Sequence, residues 1–206
     1  MILSACSSSQ PENRWQHDAA NSCKNYQRYF LQDKDSRASL ALEQARRFAK
    51  NSANLQPLID IELSACAMEL SSLNPSVCEN ASKLLLLEPN AKQSAYLHLL
   101  THKFTKDEIQ FLPRHYQDFA LVLLQKEPKK INTALLSLEP FSSKLVASAL
   151  AIEYINDNNI QVLINKLSFK GYKKPLISWM KVQMQREENE KKRALLKAKI
   201  EVLTFE

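Results

Sequence analysis

A chain of 206 residues that contains one glycine has few ways to fold. Hairpin turns and β-bulges lean on glycine for positive φ angles. A sheet-rich domain of this size needs several such positions, and this chain offers only Gly171. Helices ask for glycine at some C-caps alone. Leu, Ala, Lys, Glu and Gln supply good helix formers. The expected fold class is therefore all-α. The length suits one domain with a sizeable core, or a short repeat array. Hydrophobic residues at 45% and charged residues at 24% are ordinary for a globular fold. No apolar run approaches the roughly 20 residues that span a bilayer; the longest, Phe119–Leu124, has six.

Apolar spacings of three and four predict helices at about 18–32, 37–50, 58–71, 76–87, 92–103, 114–126, 131–138, 142–156, 160–167 and 175–203. Ser36 is the expected N-cap of the second, and Thr105 to Glu108 reads as a capping-box region. Connections of two to six residues predict antiparallel neighbours. The last segment is different. Leu176, Ile177, Trp179, Met180 and Met184 open it, and residues 185–193 hold no apolar side chain. Leu195, Leu196, Ile200, Leu203 and Phe205 then resume a stripe. Read as one helix, the polar stretch is held by Glu187–Lys191 and Glu188–Lys192 pairs and leaves the body. Leu196, Ile200 and Leu203 then form the expected partner-binding seam. The alternative is that the helix folds back and buries them on its own body.

Charge sharpens this division. Residues 1–165 carry 17 basic and 17 acidic side chains, and residues 166–206 carry 11 and 5. The net +6 therefore belongs to the last fifth of the chain. Lys166, Lys170, Lys173, Lys174, Lys181, Arg186 and Lys191–Arg193, with Tyr172 and Trp179 among them, are the spacing that could track phosphates. Glutamates interrupt the run, and a solvated helix face is the plainer reading.

Signals for chemistry are sparse. One glycine rules out the Gly-rich phosphate loops and the nucleophile elbow. His98 and His102 stand at i and i+4, a spacing that can hold a metal, and His115 is the nearest further candidate. Position 99 is leucine, so the HExxH pattern is absent, and a plain core or surface pair is the simpler reading. No serine–histidine pairing is legible. Neither a cofactor nor a catalytic site is expected. Cys66 and Cys78 flank the turn at Asn74-Pro75, so a disulfide across that hairpin is the expected pairing if any forms. Pairing with Cys23, and buried unpaired thiols, stay open as alternatives.

Two resemblances add to this. Leu3-Ser4-Ala5-Cys6, followed by Ser7, Ser8, Ser9, Gln10 and Pro11, resembles the lipobox and tether of bacterial lipoproteins. The resemblance implies lipidation of Cys6 and, with Ser7 after the cysteine, outer-membrane sorting. Five uncharged residues before Cys6 are too few for a secretory signal, so it also implies a start upstream of Met1. An ordinary frayed N-terminus is the alternative. The same four letters recur at Leu63-Ser64-Ala65-Cys66, where processing would cut the domain in half. The stretch LLLLEPNAKQSAYLHLL looks like a junction between two tetratricopeptide repeats. Counting from Pro89, Ala65 takes the small-residue position of helix A, while Val77 and Leu84 stand where helix B usually carries alanine. Leu138-Glu139-Pro140 echoes the motif, but the proline spacings are irregular against a period near 34.

The expectation is thus a tether at residues 1–16, a degenerate repeat-like α-solenoid at 17–172 and a long basic C-terminal helix at 173–206. The expected role is a non-enzymatic envelope lipoprotein on the periplasmic side, partnered by other envelope proteins and by the membrane through its anchor. By analogy with helical-repeat lipoproteins it scaffolds a secretion, pilus or flagellar machine. The rival is a cytosolic helical adaptor whose basic C-terminal helix binds nucleic acid. A helical enzyme or metal protein built on His98 and His102 is the remote third.

Overall fold

The computed structural model of the protein describes residues 14–74 and 78–205. Cys6, the serine-rich tether up to residue 13, and Val77 lie outside the described residues. Among those described, the fold is all-α: eleven α-helices and one 3-10 turn, with no strand. The helices are α1 (Arg14–Leu31), α2 (Asp35–Ala49), α3 (Gln56–Ser71), α4 (Glu79–Leu87), α5 (Ala91–Leu100) and α6 (Arg114–Gln125). Then follow α7 (Pro128–Ser137), α8 (Phe141–Leu150), α9 (Asp157–Lys170), α10 (Lys173–Arg186) and α11 (Glu190–Thr204). The 3-10 turn, Ile109–Phe111, precedes α6. Arg14, Trp15 and Gln16, expected in the tether, already belong to α1.

Gly171 stands where helices need it, at the C-cap of α9 with φ +65°. Its N–H donates to the carbonyls of Leu167 and Ser168. Asp33, Leu73, Cys78, His102 and Lys126 adopt positive φ without being glycine. Each costs on the order of 1 kcal/mol, which the packing of the adjoining helices must offset. Asparagine does much of the N-capping: Asn90 accepts from Lys92 and Gln93, Asn156 from Asn159, and Asn189 from Lys192. Helix α2 starts from Lys34, two residues before the expected Ser36 cap.

Helix α3 is the centre of the body. It buries residues on every side, from Leu58, Ile59 and Ile61 to Cys66, Met68 and Ser71, as a helix surrounded by others must. Helices α1, α2, α4, α5 and α8 all pack against it. Its one buried charge, Glu62, accepts from Arg46 Nε at 2.6 Å and Nη2 at 2.7 Å, with Asn80 at 3.2 Å. The contacts of α3 with α8, and of α1 with α10, join elements far apart in sequence. A one-dimensional stack of hairpins makes contacts only between neighbours, so the helices here close around α3.

The C-terminal segment departs from expectation in three ways. It is two helices, not one. Glu187 leaves the helical region with ψ 118°, and Asn189 caps a fresh helix. That break removes the Glu187–Lys191 and Glu188–Lys192 spacing from any single helix. A helix does begin at residue 173, and it is packed into the body. Trp179 of α10 is 0% exposed and donates from Nε1 to the carbonyl of Ser71 at 3.4 Å. Finally, much of the basic excess is spent inside the fold. Lys173 and Lys174 pair with Asp33, Lys174 also with Asp35 at 2.5 Å, and the Lys174 ammonium lies 4.6 Å from the centre of the Phe30 ring. Arg186 donates to the carbonyls of Ile155 and Ile152 and pairs with Asp157.

Candidate functional site

The residues named from sequence fall in separate places. Cys66 and Cys78 are joined by a disulfide, their Cα atoms 5.3 Å apart, and it ties the middle of α3 to the start of α4. Cys23 is half-buried with its sulfur 3.7 Å from Ser64 Oγ, and burial raises its thiol. His98 and His102 are not brought together. Helix α5 ends at Leu100, and His102 sits in a turn with φ +56°. His98 Nδ1 instead meets Glu108 Oε1 at 2.6 Å. Glu108 also accepts from the Thr105 N–H at 2.8 Å, which is half of the expected capping box. Among the described residues no group of three or more His, Cys, Asp or Glu side chains is placed to hold a metal.

Leu196, Ile200 and Leu203 require a correction as a partner seam. Helix α11 turns back along α10, and Ile200 is only 8% exposed. Leu196 and Leu203 pack beside it against the main core. The break at 187–189 makes this possible, because it lets the stripe meet the body it was expected to leave. What α11 keeps in solvent is a different set, Leu195, Val202 and Phe205.

The feature with the geometry of a site is a cleft of about 680 Å³ between α1, α3, α5, α6 and α8. That volume lies within the range of ligand-holding clefts. Its apolar wall comes from Leu63, Ala67 and Met68 of α3, Tyr96 of α5, Leu112 and Pro113 ahead of α6, and Val146 of α8. Four glutamines line it: Gln27, Gln93, Gln110 and Gln117. The amide nitrogen of each donates within the chain: Gln27 to Ser64, Gln93 to Asp60 and the Gln56 carbonyl, Gln110 to the Asp107 carbonyl, and Gln117 to the Leu112 carbonyl. Gln27 and Gln110 donate one bond each and so retain an N–H as well as an acceptor oxygen, while the Gln93 side-chain oxygen is buried without a hydrogen-bond partner. Asp60 adds a carboxylate. It keeps an open edge, yet desolvation by the surrounding wall raises it above the usual carboxylate range, against the lowering bond from Gln93. At the rim, Lys92 and Arg114 are exposed.

One end of the cleft carries a pairing that the sequence reading missed. Ser143 Oγ and His115 Nε2 lie 3.0 Å apart. His115 keeps an exposed face, and partial desolvation holds its imidazole below its ordinary value. The Tyr116 side chain contacts both Ser143 and Tyr96, and burial pushes its hydroxyl up. These residues are 28 positions apart along the chain, with no local motif around either, so nothing short of the fold could join them. The same holds for Gln27 and Gln93, whose partners are 33 to 37 positions away. No family model, curated protein or solved structure matches this chain.

Proposed function

We propose that this protein is a non-enzymatic scaffold of the bacterial cell envelope, and that its cleft seats a segment of another envelope protein. The observation that carries the reading is the chemistry of the cleft. An open trough with an apolar wall and glutamine amides, which both donate and accept, suits a chain that brings backbone N–H and C=O groups and apolar side chains together, which is what an extended peptide offers. The address rests on Cys6 within the lipobox-like Leu3–Cys6, supported by the Cys66–Cys78 disulfide, a bond that persists in oxidising compartments such as the periplasm. The repeat-like reading is kept for α3 to α5, where Pro89 separates two helices as the tetratricopeptide junction implies. A secretion, pilus or flagellar machine remains the partner class by analogy alone. The rival nucleic-acid reading loses ground because Lys173, Lys174 and Arg186 are committed to Asp33, Asp35 and Asp157.

Selection of peptides from a random display library on the full chain tests the role. The expected outcome is enrichment of segments that bind the unaltered chain and lose at least tenfold in affinity to Ser142→Trp. Ser142 is an exposed rim residue, so tryptophan there narrows the cleft without touching the core. Leu40→Trp on α2, which lines no part of the cleft, should change nothing. Peptides indifferent to Ser142→Trp would remove the cleft from the account. A second reading is favoured by the Ser143–His115 contact alone: an acyl-transfer pair in which neutral His115 takes the hydroxyl proton. Covalent labelling of Ser143 by a fluorophosphonate would move the assignment to that reading.

A further inference from the structure

Helix α9 ends in a feature that neither the cleft nor the core uses. Phe169 is 85% exposed, two residues before the capping Gly171. The Lys166 ammonium lies 5.8 Å from the centre of its ring. Val162, a heptad earlier on the same face, is also exposed. Lys170 sits 5.8 Å from the ring centres of both Phe141 and Tyr172. The next two lysines, Lys173 and Lys174, are held by Asp33 and Asp35. Among the described residues, neither Lys166 nor Lys170 has an ion-pair partner, so their charge is not cancelled locally.

We propose that this end of α9 is a membrane-contact tip that docks on an anionic bilayer surface, with Phe169 entering the headgroup boundary and Lys166 and Lys170 meeting lipid phosphates. Charge complementarity favours this occupant. Phe169 protrudes with Lys166 beside its ring, and Lys170 adds a second exposed positive charge at the same end of the helix. Long basic side chains flanking a projecting aromatic match the depth profile of a lipid interface, apolar below and phosphate above. The contact stands independently of the proposed lipid anchor. If both hold, the tip would fix the orientation of a body otherwise held to the membrane at one point.

Co-sedimentation of the full chain carrying Cys6→Ser tests it, since that variant cannot be acylated. The vesicles are phosphatidylglycerol with phosphatidylethanolamine in equal parts, or phosphatidylcholine alone. Binding is expected to the anionic vesicles, to weaken as salt is raised, and to be lost with phosphatidylcholine. Lys166→Ala with Lys170→Ala should reduce it by roughly thirtyfold, and Phe169→Ser should abolish saturable binding. Phe169→Trp should give blue-shifted emission, quenched by brominated acyl chains, over the background of Trp15 and Trp179. These are surface positions, and an unchanged melting temperature checks that each variant folds. Equal binding to phosphatidylcholine overturns the proposal, as does anionic binding indifferent to Phe169→Ser. Tight binding of a single-stranded homopolymer through the same lysines, with no vesicle binding, would replace it with a nucleic-acid surface.

Discussion

Glu62 and Arg46 show how one pair of residues anchors the centre of this fold. Glu62 is 7% exposed, in the helix that five others surround. An ionised carboxylate there is tolerated only because Arg46 donates twice to it and Asn80 once. Removing Arg46 leaves the carboxylate desolvated and nearly alone. The expected cost of Arg46→Ala is about 3 kcal/mol, the lower end for a broken buried pair, because the arginine side chain is itself 31% exposed and water can follow it in. Thermal unfolding should register a fall of roughly 6–12 °C. Replacing both partners, Arg46→Met with Glu62→Leu, should recover most of that loss. A single-variant fall under about 2 °C would mean that Glu62 is solvated in solution. Sequence could not supply this pair: the two residues lie 16 apart on different helices, and each reads as an ordinary surface charge.

At the scale of elements, α11 is the clearest departure from what periodicity suggested, and it carries its own test. Deleting residues 190–206 removes Ile200 from the core and Leu196 and Leu203 from its edge. Together these are worth on the order of 2–3 kcal/mol, so the melting temperature should fall by roughly 4–12 °C. An unchanged melting temperature would return α11 to the role of a detached contact helix. Most other helices were legible, because their apolar residues recur at three and four and their ends carry Pro89, Pro113, Pro128 or Gly171. The C-terminal break was also written in the chain, as Asn189 followed by Glu190, an N-cap with an acid in the first turn. Charge pairing at i,i+4 outweighed it in the reading, although each such pair is worth only about 0.2–0.5 kcal/mol. The same oversight merged two structural ideas: a polar run can be a solvent-exposed helix, or simply the corner between two helices.

The whole molecule is a set of helical hairpins drawn shut around α3, with the basic C-terminal segment folded back against acidic partners that include Asp33 and Asp35. Lys173 and Lys174 on Asp33 and Asp35, and Trp179 on Ser71, fasten the two ends of the chain to one core. Closure of this kind is invisible to a local reading, because complementary charge 139 positions away leaves no pattern. It also produces the cleft, whose walls come from five helices, and thus the proposed role. The most direct measurement places a photo-crosslinking amino acid at Ser142, on the cleft rim, and at Leu40, on a helix outside it, in full-length protein within living bacteria. The account predicts a light-dependent adduct at 142 alone, mapping by mass spectrometry to one recurrent segment of an envelope protein. A 142 adduct lacking a recurrent segment, an identical adduct at 40, or no adduct at either position would contradict it.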